Sequence, residues 1–167
     1  AEGAEKGGFG TFMRKESVEQ PDARADTLAG RLTRDGRVEL EEITIPAEQL
    51  AAIDKIYIVA GGTSYHAGLV GRYVLENWAR VAVELDVASE FRYREPALSA
   101  GSLAIAMSQS GETADTLAAL RHCQAKGMKS AGVLNTVEST IGREVDVVWP
   151  IHCGPEIGVA STKAFTA

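Results

Sequence analysis

The stretch SLAIAMSQSGETADTLAALRHCQAK, residues 102–126, decides how the rest of the chain reads. Its first part, Ser102 to Met107, is an apolar run of strand character, and its last part, Ala114 to Lys126, carries a helical pattern. Between them lies Ser108-Gln109-Ser110-Gly111-Glu112-Thr113. A strand thus delivers hydroxyls and a glycine to a helix N-terminus, where free backbone N–H groups and the positive end of the helix dipole favour an anion. Ser108, Ser110 and Thr113 can each donate to a phosphate oxygen, and Gly111 lets the backbone come close. The loop holds no Lys or Arg, so neutral donors would hold a ligand that stays exchangeable. These residue types predict a site for a small phosphorylated metabolite.

The same alternation extends outward. Further strands are predicted over Lys55 to Ala60, Val81 to Val87, Ser130 to Leu134 and Val145 to Ile151, beside Leu103 to Met107. Ser64 to Arg80 places Ala67, Val70, Val74 and Trp78 at helical spacing, and Thr140 to Glu144 fits a helical turn. Mainly apolar strands alternating with helices predict an α/β three-layer sandwich, with a five-stranded parallel sheet covered on both faces. Ligands in that architecture sit at the carboxyl ends of the strands.

Residues 1–45 read as a separate N-terminal segment, irregular or helical, ahead of a domain over 46–167. Ala1 to Gly10 resembles a linker, Asp26 to Leu32 fits a helical piece, and Val38 to Ile45 has no clear period. At the other end, Ser161 to Ala167 reads as a helix just starting, with Ser161 as N-cap and no terminator. The chain is therefore expected to be a piece of a longer polypeptide.

Composition narrows the function classes. The 167 residues carry a net charge of −6, which argues against a nucleic-acid surface. No apolar run approaches membrane-spanning length, and a cytoplasmic location with reduced thiols is expected. Cys123 and Cys153 form no metal-like spacing, though two cysteines leave one disulfide open. Neither a G-x-G-x-x-G fingerprint nor a G-x-x-x-x-G-K-[ST] loop is present, and no cofactor or metal is expected.

Three predicted strand ends carry small hydroxyl or glycine residues: Gly61 to Ser64, Ser108 to Thr113, and Gly158 to Ser161. Each has a plainer explanation as a helix cap, most of all Gly61-Gly62-Thr63-Ser64. The hydroxyl density of Ser108 to Thr113 exceeds what one cap needs, and three such loops on one sheet edge favour a pocket. His66, His122 and His152 are best read as surface or satisfied histidines, and Cys123 as core. Cys153, near the predicted pocket, has no visible activating group. Glu112 and Glu156 fit either a loop-ordering or a ligand-touching role. Phe91-Arg92-Tyr93-Arg94 reads as a surface or an interface.

Four stretches carry a family resemblance: Gly62 to His66, Ala88 to Arg94, Ser108 to Thr116, and Gly154 to Lys163. With Phe12 to Glu16 and Glu19-Gln20-Pro21 upstream, the chain resembles the first sugar-isomerase (SIS) domain of the glucosamine-6-phosphate synthase family. The resemblance implies a flavodoxin-like SIS fold. It also implies an enzyme that makes glucosamine 6-phosphate from fructose 6-phosphate and glutamine. Ser64, Ser108, Gln109, Ser110 and Thr113 would hold the phosphate, and Thr63, Val159 and Ser161 would touch the sugar. The family's glutaminase domain and second SIS domain, which supplies the acid–base residues and the Schiff-base lysine, lie outside this chain. No catalytic residue is therefore expected within it, and Lys163 is not assigned that role. The family pattern also implies a homodimer. Gly61 departs from it, standing where the family often has cysteine. A stand-alone sugar-phosphate sensor, or another sugar-phosphate isomerase or deglycase, remains the alternative.

Overall fold

Strand β1 (Lys55–Ala60) is buried at every position after Lys55, as a strand covered on both faces must be. Around it a computed structural model describes residues 5–40 and 45–167. The start of the predicted linker and the heart of the patternless stretch, residues 1–4 and 41–44, lie outside the described residues. Strand β2 (Ala82–Val87) and β3 (Leu103–Ser108) flank β1. Next come β4 (Lys129–Leu134) and β5 (Val147–Pro150). All neighbours pair in parallel, in the order β2-β1-β3-β4-β5. The order reverses direction between β1 and β3, and open parallel sheets bind their ligands outside the carboxyl ends of the strands at such a switch.

Alternate side chains go to opposite faces. Tyr57, Val59, Ala104 and Ala106 meet helices α5 (Ala88–Arg94), α6 (Ala114–Ala125) and α7 (Thr140–Glu144) through Phe91, Leu120, Cys123 and Ile141. The alanines of β3 let α6 approach closely, and the fully buried Phe91 packs edge-on against Tyr57. On the other face Ile56, Ile58, Leu103 and Ile105 form a second core beneath α4 (Gly62–Val74). Gly68 makes that contact possible, because a Cβ there would come 2.9 Å from Leu85 Cδ1 and 3.1 Å from Ile58 Cγ2. Helices lie on both faces of the parallel sheet, which completes the three-layer α/β sandwich.

The outer strand β2 carries Glu84 and Asp86, charges that discourage edge-to-edge pairing. Lys55 and Arg94 neutralise them in ion pairs. Phe91 to Arg94 therefore divides its roles: Phe91 is core, whereas Arg92, Tyr93 and Arg94 are exposed.

Several boundaries differ from expectation. The first long helix starts at Gly62, not Ser64, because Gly62 takes φ +56° and turns the chain at once. It ends in a π-helical turn, Leu75–Ala79, closed by Arg80 in the left-handed region. The helix expected over Asp26 to Leu32 is instead α2 (Gln20–Leu28), with Pro21 in its first turn, where a missing N–H costs nothing. It follows α1 (Phe12–Val18), and α3 (Ala47–Ala51) leads into β1. Ser161 caps nothing. The terminal helix α8 (Lys163–Thr166) starts after Thr162, and the Ser161 hydroxyl donates to Glu156 Oε2 at 2.9 Å.

Candidate functional site at the carboxyl edge of the sheet

Ser108 ends β3 and is almost fully buried. Its hydroxyl oxygen accepts from the Gly111 N–H at 3.0 Å and lies 3.1 Å from Thr113 Oγ1. These bonds fold Ser108 to Thr113 into a tight loop. Gly111 is obligatory in it, because φ is +66° and an added Cβ would lie 1.9 Å from Ser139 Oγ. The loop is also tied to the next connection along the edge. The Gln109 carbonyl accepts from Thr136 N, the Gly111 carbonyl from Ile141 N, and Glu112 Oε1 from Thr140 N at 2.7 Å. The Thr140 bonds hold the Glu112 carboxyl below the usual carboxylate range, so Glu112 orders the loop.

The two long helices that leave β1 and β3 start without a side-chain cap. Gly61 precedes α4 and has no capping group, and the Thr113 hydroxyl turns toward Ser108 instead of capping α6. By contrast, Ser139 caps α7 by accepting from Gly142 N. The capping role of the Gly61 to Ser64 and Ser108 to Thr113 loops is therefore not what the hydroxyls do. First-turn N–H groups have no partner within a helix, and among the described residues no side chain caps them, so two positive helix ends face the sheet edge.

Ser64, Ser108 and Gln109 line one cleft there, with Ala67, Met107, Val133, Ile151 and Ala164. Its volume is about 20 Å³, little more than one water needs. An anion larger than water would be received at the mouth, or the segment carrying Ala164 would move aside. Ser110 and Thr113 are exposed on the adjoining loop, and the Ser110 hydroxyl accepts from Glu112 N at 3.2 Å. Thr63 is half-buried in the first turn of α4.

The third loop behaves differently. Val159 is fully exposed, and Ser161 is engaged by Glu156, so neither lines the cleft. Glu156 Oε1 also accepts from Thr162 N at 2.7 Å, which assigns this carboxylate to loop order. Lys163 is buried, with Nζ 2.8 Å from Glu19 Oε2. Sequence reading missed Ala164 and Ile151 at the cleft, and Ser139 behind Gly111. Apolar or small residues such as Ile151 and Ala164 give no chemical signal, and a contact spanning 28 residues, from Gly111 to Ser139, gives no local one.

Cys123 and Cys153 are free and buried, and burial pushes their pKa up to about 12 and about 11. Among the described residues no group of three or more His, Cys, Asp or Glu could hold a metal, and no helix is long and apolar enough to cross a membrane. A larger groove of about 710 Å³ borders the cleft at Met107 and Val133. Apolar side chains such as Ile58, Leu75 and Ile105 make most of its wall, and Asp54 and Arg80 are its charged residues.

Residues 49–167 match the SIS domain family. The chain is 58% identical over 164 residues to a glutamine–fructose-6-phosphate aminotransferase (isomerizing) of Caulobacter vibrioides, covering 98% of this chain and 26% of that protein. It is 54% identical to the protein of the same name from Caldanaerobacter subterraneus, covering 99% of this chain and 27% of the relative. The chain thus spans about a quarter of the length of these relatives. Its fold is similar to the C-terminal domain of glucosamine-fructose-6-phosphate aminotransferase from Francisella tularensis. The TM-score is 0.88 at 42% identity, over 97% of this chain and 45% of that one.

Proposed function

This chain belongs to the SIS domain family, and we propose that it is the sugar-phosphate-binding part of a glutamine–fructose-6-phosphate aminotransferase. The observation that carries the reading is the cleft shared by Ser64 and Ser108 at the uncapped starts of α4 and α6. The names of the relatives supply glutamine and fructose 6-phosphate; the product, glucosamine 6-phosphate, is what the family resemblance implies.

In this reading Ser64, Ser108, Gln109, Ser110 and Thr113 hold the phosphate. Hydroxyls, amides and two helix dipoles receive the dianion without a cationic side chain. Each dipole contributes about 0.3–1 kcal/mol, so the ligand is held but released readily. Thr63, Val159 and Ser161 contact the sugar, which requires the third loop to lie over a ligand at the mouth. Residues 1–45 form the segment that follows a glutaminase domain, and 46–167 the first SIS domain. The acid–base groups and the Schiff-base lysine belong to a second SIS domain, in keeping with a Lys163 committed to Glu19. The enzyme works as a cytoplasmic homodimer.

The test is product analysis with the polypeptide that carries this chain. Glutamine and fructose 6-phosphate should yield glutamate and glucosamine 6-phosphate in equal amounts. Interconversion of sugar phosphates without consumption of glutamine would overturn the reading.

A further inference from the structure

Glu16, on α1, is almost fully buried, and its carboxylate reaches a loop more than 140 residues away in the chain. Oε1 accepts from Ile157 N at 2.6 Å and from Gly158 N at 3.0 Å, and Oε2 accepts from Gly158 N at 3.1 Å. A buried carboxylate is tolerated only when its oxygens are satisfied, and two consecutive amides satisfy this one. The fit leaves no slack. A Cβ on Gly158 would come 2.5 Å from Glu16 Oε2 and 2.6 Å from Met13 Sδ. The next residue, Val159, is fully exposed, so its position depends on the anchors at either side. One anchor is Glu16. The other is Glu156, which gathers Ser161 and Thr162. Glu19, at the junction of α1 and α2, then holds Lys163, next to the Ala164 that lines the cleft.

We propose that Glu16 is a positioning residue for the sugar: it fixes the backbone at Ile157 and Gly158 and thereby sets where Val159 and Ser161 meet the ligand. The N-terminal helices are thus part of the site's frame. This rests on the reading that the loop from Gly158 to Ser161 faces a sugar phosphate, so the experiment has an arm independent of ligand.

Backbone amide exchange, with Kd values for fructose 6-phosphate and inorganic phosphate, is measured on the wild-type chain and on Glu16→Gln. Charge-assisted bonds of this kind predict amide exchange at Ile157 and Gly158 at least ~10-fold faster in the variant. Exchange at Ile58 and Ile105 in the sheet should not change. The affinity for fructose 6-phosphate should fall ~10-fold or more, while that for inorganic phosphate stays within about twofold. Gly158→Ala, which displaces the same carboxylate from the opposite side, should reproduce the pattern. Unchanged exchange at Ile157 and Gly158 overturns the clamp whether or not any ligand binds. Faster exchange with unchanged fructose 6-phosphate affinity, or an equal loss for both ligands, overturns the positioning role. A wild-type chain that binds neither ligand overturns the sugar-phosphate reading itself, a result distinguishable from failure of the clamp because the exchange arm still reports on Glu16.

Discussion

Gly111 sits against Ser139 so closely that a Cβ at residue 111 would fall 1.9 Å from the Ser139 hydroxyl oxygen and 2.5 Å from its Cβ. Ser139 cannot yield easily, since it is buried and caps α7 by accepting from Gly142 N. The left-handed backbone at Gly111 adds its own penalty for any other residue. Two loops of the candidate site thus lock together through a glycine.

Gly111→Ala is therefore expected to destabilise the chain by about 2–4 kcal/mol, from the left-handed backbone, the overlap and the weakened cap together. Urea unfolding measures it. A loss under half a kcal/mol would show that the loop gives way at little cost, against the reading of a rigid cradle.

Ser110→Ala separates phosphate from sugar. The exposed hydroxyl of Ser110 is expected to hold one phosphate oxygen, so its removal should weaken fructose 6-phosphate binding by about 1.5–3 kcal/mol. Free fructose, where its binding is measurable, should hardly change. Equal losses for both ligands would assign Ser110 to general loop order.

The Glu19–Lys163 pair carries a pH dependence. The hydrogen bond from Lys163 is the largest influence holding the Glu19 carboxyl below its usual value of 4.5. A depressed folded pKa gives stability that is fully present above the unfolded value and is lost as pH falls through the folded one. Wild type should therefore lose more stability than Lys163→Gln as the pH falls from about 5 through the ordinary carboxylate range and below it. Parallel stability–pH curves for the two proteins would contradict the pairing. Because Glu19 is partly solvated, the effect should be small and weakened by salt.

The cysteines give a chemical check on burial. With Cys123 pushed up to about 12 and Cys153 to about 11, almost no thiolate exists at neutral pH. Alkylation by iodoacetamide at pH 8 should be far slower in the folded chain than in urea. Rapid labelling of Cys153 in the folded state would show that the loop around Gly154 opens readily.

The centre of the sheet was legible because β1 and β3 are short apolar runs that lead into glycine and hydroxyl residues, as at KIYIVA before Gly61-Gly62. Alternation alone predicts a parallel sheet but does not fix its order, which depends on pairings such as Ile56 with Leu103, 47 residues apart (103 − 56). Phe91 was read with its charged neighbours because the helical period of Ala88 to Arg94 is too short to stand out, although it places Phe91 inward. At the site, Ser64, Ser108 and Gln109 were legible as polar residues at strand ends and do share a cleft. Glu16 was not. Its partners are two backbone amides near the other end of the chain, and backbone amides leave no mark in a sequence.

Calorimetric titration with fructose 6-phosphate, glucose 6-phosphate and free fructose tests the central claim most directly. A phosphate cradle built from Ser64 and the Ser108 to Thr113 loop should bind both phosphate esters and not fructose. Binding of fructose as tight as that of its 6-phosphate, or no binding of either ester at millimolar concentration, would contradict a phosphate site formed by this chain.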